Sequence, residues 1–280
     1  MGRAGQADAK RLCSAPLMHQ PRKRFGQHFL HDQDVIRQIV AAVAPLPGET
    51  VVEIGPGLGA ITGPLLAQAG TLSAIEIDRD AIKHLRETFD VAKLRVHEGD
   101  ALKFDFASLA RPATRLRLVG NLPYNISTPL LFRLIEQRAH VLDMHFMLQK
   151  EVVDRMASVA GDDDYGRLTV MLAPWVTVTP LFDIGPGAFR PPPRVESTFV
   201  RLTPHAAPPF EIADYRNYSR VVAAAFSQRR KTWRNALKQL LSAVQIQDAG
   251  IDPGARAEVI PPAGFAALAA RVEPRIVAAE

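Results

Sequence analysis

Asn121-Leu122-Pro123-Tyr124 places a side-chain amide, a backbone carbonyl, a rigid turn and an aromatic ring within four residues. The segment follows an apolar run at 116–119 that reads as a buried strand. These parts suit methylation of a planar amine, such as the exocyclic nitrogen of adenine. That nitrogen is a poor nucleophile because its lone pair is delocalised into the ring. Acceptors on its two hydrogens favour a pyramidal nitrogen, whose lone pair then meets a methyl group leaving a sulfonium. The Asn121 side-chain oxygen and the Leu122 carbonyl are the acceptors, Pro123 fixes the turn, and Tyr124 stacks on the base. Preorganised acceptors stabilise the charge that develops in the transition state, and orientation supplies much of the rest. The alkylated amine is acidic, so no strong general base is required.

A second segment completes this half of the site: Phe189-Arg190-Pro191-Pro192-Pro193-Arg194-Val195-Glu196-Ser197. Three prolines hold an aromatic residue on a stiff loop, and Phe189 is expected to sandwich the base opposite Tyr124. Such stacking is worth roughly 1–3 kcal/mol per base, comparable with the few kcal/mol of extracting a base from its stack. The alternative is a proline-rich hairpin that packs Phe189 into the core.

The cofactor half reads from Val51-Val52-Glu53-Ile54-Gly55-Pro56-Gly57-Leu58-Gly59, a strand running into a glycine loop and then a helix. Glu76 stands at the end of the second strand, where an acid accepts two ribose hydroxyls. Asp100 ends the third strand, placed to accept from an adenine amino group. Gly55, Gly57 and Ala60 also satisfy a loose dinucleotide fingerprint. Pro56 argues against it by adding bulk where a pyrophosphate needs the backbone, and the segment after the fourth strand has no role in hydride transfer. Gly185-Pro186-Gly187 lacks a following helix and a distal acid and reads as a turn.

The elements that must position these residues alternate. A helix at 34–43 carries Val35, Ile36, Ile39, Val40 and Val43 at helical spacing, with Asp32 or Asp34 as cap. Strands at 50–54, 72–77, 94–97, 116–119 and 141–148 are interleaved with helices: one after Gly59 capped by Thr62, one at 81–88, one with Thr128 as cap and Pro129 first, and one from Glu151. Repeated β-α units imply a parallel sheet covered on both faces. After Tyr165 a helix at 168–173 precedes strands at 176–184 and 198–202, an antiparallel pair closing the sheet edge. Residues 204–209 read as a linker, and helices follow at 215–225 and 231–244. Residues 1–20 read as a disordered tail, 21–205 as the α/β domain and 206–280 as a small all-helical domain.

Net charge is +5, from 34 basic and 29 acidic residues. That excess is mild, but it clusters at Arg22-Lys23-Arg24 and from 229 to 238, which suits a polyphosphate partner. No run of eighteen apolar residues predicts a membrane span, and no secretory signal is read at the N-terminus. Cys13 is the single cysteine, which excludes an internal disulfide framework and a cysteine zinc site. No metal is expected, a reducing cytoplasm is the simplest compartment, and a monomer is expected.

Taken in order, these motifs resemble the bacterial 16S ribosomal RNA adenine dimethyltransferases, which use S-adenosylmethionine. The likeness runs from about Arg22 to Leu241. Besides the segments above it includes Arg24-Phe25-Gly26-Gln27-His28-Phe29-Leu30, Gly99-Asp100-Ala101, Tyr165-Gly166-Arg167-Leu168 and Phe226-Ser227-Gln228-Arg229-Arg230-Lys231-Thr232. The resemblance implies a Rossmann-like methyltransferase sheet, mostly parallel, with a helical C-terminal domain. It implies that His28 and Leu30 lie against the cofactor, that Gly55, with Gly57 in the same loop, approaches its methionine end, that Glu76 holds its ribose and Asp100 its adenine, and that Asn121 sits between cofactor and target. Many family members carry Asn at the position of His28. The family transfers two methyl groups to each of two adjacent adenines of small-subunit rRNA, late in ribosome assembly. The basic segments then become RNA contacts: Arg22, Lys23 and Arg24 near the pocket, and Arg230, Arg234 and Lys238 at four-residue steps on one helix, beside an apolar stripe of Phe226, Trp233, Leu237 and Leu241.

Three rivals remain at this level. A related 23S methylase shares the acceptor motif, an assembly factor shares the fold without needing catalysis, and a hydride-transferring enzyme shares the glycine loop.

Overall fold

The computed structural model describes residues 28–111, 114–227 and 232–273. The expected tail at 1–20 and the cations Arg22, Lys23, Arg24 and Arg230 lie outside the described residues. The chain opens with β1 (Phe29–Leu30), α1 (Gln33–Val43), β2 (Thr50–Ile54) and α2 (Thr62–Ala69). It continues through β3 (Leu72–Glu76), α3 (Arg79–Thr88), β4 (Leu94–Glu98), β5 (Leu116–Asn121) and α4 (Ser127–Glu136). Then come β6 (Val141–Gln149), α5 (Lys150–Ala157), α6 (Arg167–Leu172), β7 (Val176–Ile184), β8 (Phe189–Arg190) and β9 (Ser197–Pro204). Helices α7 (Tyr215–Ala225), α8 (Trp233–Ala236), α9 (Ala243–Asp248) and α10 (Pro262–Ala269) follow.

Seven strands form one sheet in the order β4-β3-β2-β5-β6-β9-β7. The first five run parallel, and β9 inserts antiparallel between β6 and β7. The expected edge hairpin is therefore present, with β7 outermost. Alternation along each strand divides the core into two layers. Val52, Ile54, Leu118, Met144 and Phe146 point to one side with α4 residues Leu130, Leu131 and Leu134. Val51, Val119, Met147 and Phe199 point to the other with Ile36, Ile39 and Val40 of α1 and Leu65 of α2.

Helix α1 starts where Asp32 accepts from the backbone N–H groups of Asp34 and Val35, the N-cap arrangement. Arg117 secures its other end. The guanidinium donates to the carbonyls of Val43 and Ala44 and pairs with both oxygens of Asp143, so the last turn of α1 is fastened to β5 and β6.

Two expected caps move. Ile61, not Thr62, occupies the N-cap of α2 without a side-chain bond, because the Thr62 hydroxyl is engaged by Glu53. Helix α4 begins two residues early, at Ser127, with Ile126 at its N-cap. The Ser127 hydroxyl donates to the Tyr124 carbonyl and ties the helix to the acceptor turn.

The larger correction concerns the helix expected at 231–244: its described residues, 232–244, do not form one helix. Helix α8 ends at Ala236, Leu240 and Leu241 donate back to the Leu237 carbonyl, and Ser242 with Gln245 caps a new helix reciprocally. The N-terminal N–H groups of Trp233 and Arg234 bond to the carbonyls of Ala255 and Pro253 instead. The four-residue apolar spacing misled because Trp233, Leu237 and Leu241 are all buried even though a turn separates them. They belong to a third core with α7 and α10 that also takes in Tyr165, Val170 and Met171.

The parallel pairing of β2 with β5 is unusually close at one point. A Cβ at Gly120 would lie 2.6 Å from the Ile54 carbonyl oxygen. Gly120→Ala is expected to destabilise the fold by roughly 2 kcal/mol, since a packed backbone cannot yield as a side chain does. Urea unfolding is the check, and a midpoint equal to that of the parent chain would contradict the close approach.

Candidate active site

The strand order reverses between β2 and β5, and ligands of open α/β sheets bind outside the carboxyl ends at such a point. The glycine loop leaves β2 there. Gly55 and Gly57 adopt φ +67° and +56°, the left-handed region that glycine enters without penalty. A Cβ on Gly55 would meet nothing within 4 Å, so the loop borders open space, whereas one on Gly57 would press on the Phe29 ring at 3.3 Å. The loop is thus lined by β1, an element too short to show a periodicity in the sequence.

Glu76 ends β3 beside this loop. Its carboxylate accepts from the N–H groups of Gly57, Ile77 and Asp78 at 3.1, 2.8 and 2.9 Å, and it is buried. Gly99 donates to the Glu76 carbonyl, which brings Asp100 next to it; the Asp100 side chain accepts from Leu102 in its own turn.

Asn121 is the last residue of β5. Register pairs Val52 with Leu118 and Glu53 with Val119, which brings Asn121 level with Gly55. Its Nδ2 donates to the His28 carbonyl at 3.0 Å. A carbonyl only accepts, so the amide nitrogen must face it, and Oδ1 is the end turned elsewhere. Leu122 is buried, with its N–H on the Met147 carbonyl. The Tyr124 hydroxyl meets Ser197 Oγ at 2.8 Å, and burial of the phenol raises its pKa. The His28 ring stacks on Tyr124 with centroids 5.9 Å apart.

The structure therefore brings His28, Gly55, Gly57, Glu76, Asp100, Asn121, Leu122 and Tyr124 to one end of four adjacent strands. Leu30 is 6% exposed and joins the core beneath the site. One expectation changes. Phe189 is 2% exposed, pairs with Leu30 across β1 and β8, and packs in the same core. It presents no open face to a base, and the proline-rich hairpin alternative describes it. Arg234 and Lys238 are exposed, but one lies in α8 and the other in the turn after it, so they do not share a helix stripe. An apolar groove of about 500 Å³ near Val159, Tyr165, His205 and Pro261 contains none of these residues.

Glu53 is the functional candidate that the sequence reading passed over. The signal was an acid inside an otherwise apolar strand. It is 1% exposed and accepts from the Thr62 hydroxyl at 2.6 Å. Burial pushes its carboxyl up to about 8; the Thr62 bond works against that and nearby Glu76 adds to it. At neutral pH Glu53 is largely uncharged, so it holds α2 to β2 without adding a second full charge beside Glu76.

These features fit S-adenosylmethionine: a glycine loop that borders open space at Gly55, an acid at the tip of β3 and a second acid past β4. A Rossmann-like sheet with that loop, those acids and an Asn-Leu-Pro-Tyr turn at the switch point defines an S-adenosylmethionine-dependent methyltransferase. The sequence profile of the family described as ribosomal RNA adenine dimethylase matches residues 18–273. Ribosomal RNA small subunit methyltransferase A of Methylococcus capsulatus is 55% identical over 92% of this chain and 100% of its own length. The protein of the same name from Aromatoleum aromaticum is 56% identical over 89% and 93%. Among solved structures, a dimethyladenosine transferase from Plasmodium falciparum superposes with TM-score 0.69, covering 86% of this chain and 96% of that one at 26% identity. The 23S rRNA methyltransferase ErmE gives 0.67, covering 87% and 99% at 26% identity. The chain belongs to the ribosomal RNA adenine dimethylase family and is an rRNA adenine dimethyltransferase. Among the described residues no helix is long and apolar enough to cross a membrane.

The Glu53 carboxyl has a stated pH consequence. The unfolded chain loses this proton near 4.5 and the folded chain near 8, so the folded state binds more protons across that window. Stability therefore falls as pH rises from about 4.5 to 8, with a slope of at most about 1.4 kcal/mol per pH unit. Glu53→Gln is expected to flatten this contribution. Denaturant midpoints at pH 5 and pH 8 measure it, and an unchanged difference between the two would refute the assignment.

Proposed function

We propose that the chain transfers methyl groups to N6 of two adjacent adenines in 16S rRNA, giving N6,N6-dimethyladenosine late in assembly of the small subunit. It acts as a cytoplasmic monomer. The observation that carries the reading is the orientation of Asn121, whose amide nitrogen is committed to the His28 carbonyl. Its oxygen is then the end that accepts from the target amine.

S-adenosylmethionine, when bound, supplies an electrophilic methyl group on a positively charged sulfur. Glu76 holds the ribose hydroxyls, Asp100 the adenine amino group, and the Gly55–Gly57 loop admits the methionine end. On the target side, Asn121 Oδ1 and the Leu122 carbonyl accept the two N6 hydrogens and hold the lone pair toward the cleft. Tyr124 lies against the base, with its hydroxyl anchored to Ser197. The first transfer replaces one N–H and the second replaces the other, and each alkylated nitrogen releases its own proton. Arg234 and Lys238, with Arg22, Lys23, Arg24 and Arg230, contact phosphates. The part after residue 205 carries the C-terminal contacts. The 50–56% identity to proteins named for the small subunit favours that substrate over the large subunit.

Small subunits lacking the modification, incubated with labelled cofactor, are expected to yield dimethyladenosine on digestion of their rRNA. Label in large subunits alone would reject the assignment. Asn121→Ala should lower kcat by about 10²–10³-fold, the usual effect of removing one preorganised group, while calorimetry still detects cofactor binding. RNA affinity should fall steeply with salt, and Arg234→Ala or Lys238→Ala should each reduce the slope of log K against log salt by about 1. A salt response unchanged by both substitutions would count against this face.

A further inference from the structure

We infer that Arg190 and Arg194 clamp the RNA backbone on the two sides of the target nucleotide, through its flanking phosphates. The inference rests on the reading of an RNA adenine held at Asn121 and adds how its strand is gripped.

The segment from β8 to β9 is fastened to the site at both ends. At one end Arg190 pairs with Phe29 and Phe189 with Leu30 across β1 and β8, and the Pro191 carbonyl lies 2.7 Å from His28 Nδ1. His28 in turn accepts from Asn121. At the other end Lys150 donates its N–H to the Glu196 carbonyl, and Ser197 Oγ meets the Tyr124 hydroxyl. Arg190 therefore stands on the Asn121 side of the cleft and Arg194 on the Tyr124 side.

Both arginine side chains are exposed, and neither has a partner among the described residues. Their neighbour Lys150 is different: its ammonium is taken by Asp154 and Asp183 at 3.3 and 3.1 Å. Between the two guanidiniums run Pro191, Pro192 and Pro193, the last of them buried. A four-residue step spans at most about 14 Å, and the prolines keep it from collapsing. Such a segment loses little freedom on binding, and the guanidinium fork matches a pair of phosphate oxygens.

Extrusion of a base bends its strand and draws neighbouring phosphates together, so a cation on each side offsets their repulsion. Phosphate contacts carry no sequence information. They recur at every nucleotide, and a strand that shifts by one step meets the same clamp again. That property suits an enzyme acting on two adjacent adenines.

Arg190→Gln and Arg194→Gln test the clamp in the full chain, with Arg190→Lys and Arg194→Lys as charge-keeping partners. Arg95→Gln, an exposed cation on the edge strand β4, is the control. Methylation of unmodified small subunits is followed against salt, the label at each adenine is quantified, and cofactor Kd is measured by calorimetry. Each Gln variant is expected to raise the KM for subunits about fivefold, the upper end for an exposed ion pair. Each should also lower the slope of log KM against log salt by about 1. The Lys variants should recover the slope, both adenines should lose label in the same proportion, and kcat and cofactor Kd should stay at the parent values.

The inference is overturned if both Gln variants keep the parent slope, or if Arg95→Gln lowers it equally, which would make the effect one of overall charge. A cofactor Kd that rises in step with KM overturns it by assigning the arginines to the cofactor. Loss confined to one adenine overturns it by making the contact base-specific. A parent chain that leaves small subunits unlabelled removes the adenine reading itself, whereas a labelled parent with unaffected Gln variants removes the clamp alone.

Discussion

The site depends on how closely β2 and β5 approach at their carboxyl ends. Parallel strands are held by evenly spaced hydrogen bonds, and no side chain can sit between their backbones. Gly120 meets this limit against the Ile54 carbonyl. The register that results sets Asn121 level with Gly55. The glycine loop and the tip of β5 are therefore neighbours by strand pairing, not by loop folding. Chemistry that needs in-line alignment benefits from a frame that side-chain motion cannot stretch.

Around that frame the charges are kept few. Two carboxyl groups approach one glycine loop, and only Glu76 receives several backbone N–H donors. Glu53 is sealed from water and retains its proton at neutral pH. The pair divides its duties by environment: one carboxyl gathers the backbone N–H groups of the glycine loop and the turn after β3, and the other is a neutral strut between β2 and α2. Arg117 performs a comparable service farther along β5, where it satisfies the last carbonyls of α1 and two acids together.

Much of this was legible in the sequence because parallel strands buried on both faces read as apolar runs. Thr50–Ile54 and Val176–Ile184 have the expected bounds, and so does α7. The acids and Asn121 stood out as polar residues at strand ends. Elsewhere the pattern was silent or misleading. Strands β1 and β8 are two residues long and exist only through each other, so no local periodicity marks them. Phe189 in a proline-rich loop reads equally as a presented ring or as a core plug, and only tertiary packing decides. Trp233, Leu237 and Leu241 keep helical spacing across a turn because the core, not the helix, selects them. Glu53 was hidden because its role depends on burial and on Thr62, nine positions away.

The seam between the sheet and the C-terminal helices is joined by hydroxyls. Tyr218 in α7 donates to the Val170 carbonyl, and Tyr165 donates to the Ile260 carbonyl. Both phenols are buried within a core that spans the seam, so the helical part cannot swivel freely. Exposed cations such as Arg234 then stand at a set distance from the Asn121 cleft. An RNA that engages both ends must present its strand backbone and its extruded adenine at a matching separation. On the proposed reading the molecule would act as a caliper, discriminating against a correct nucleotide on a wrongly folded scaffold without reading a single additional base.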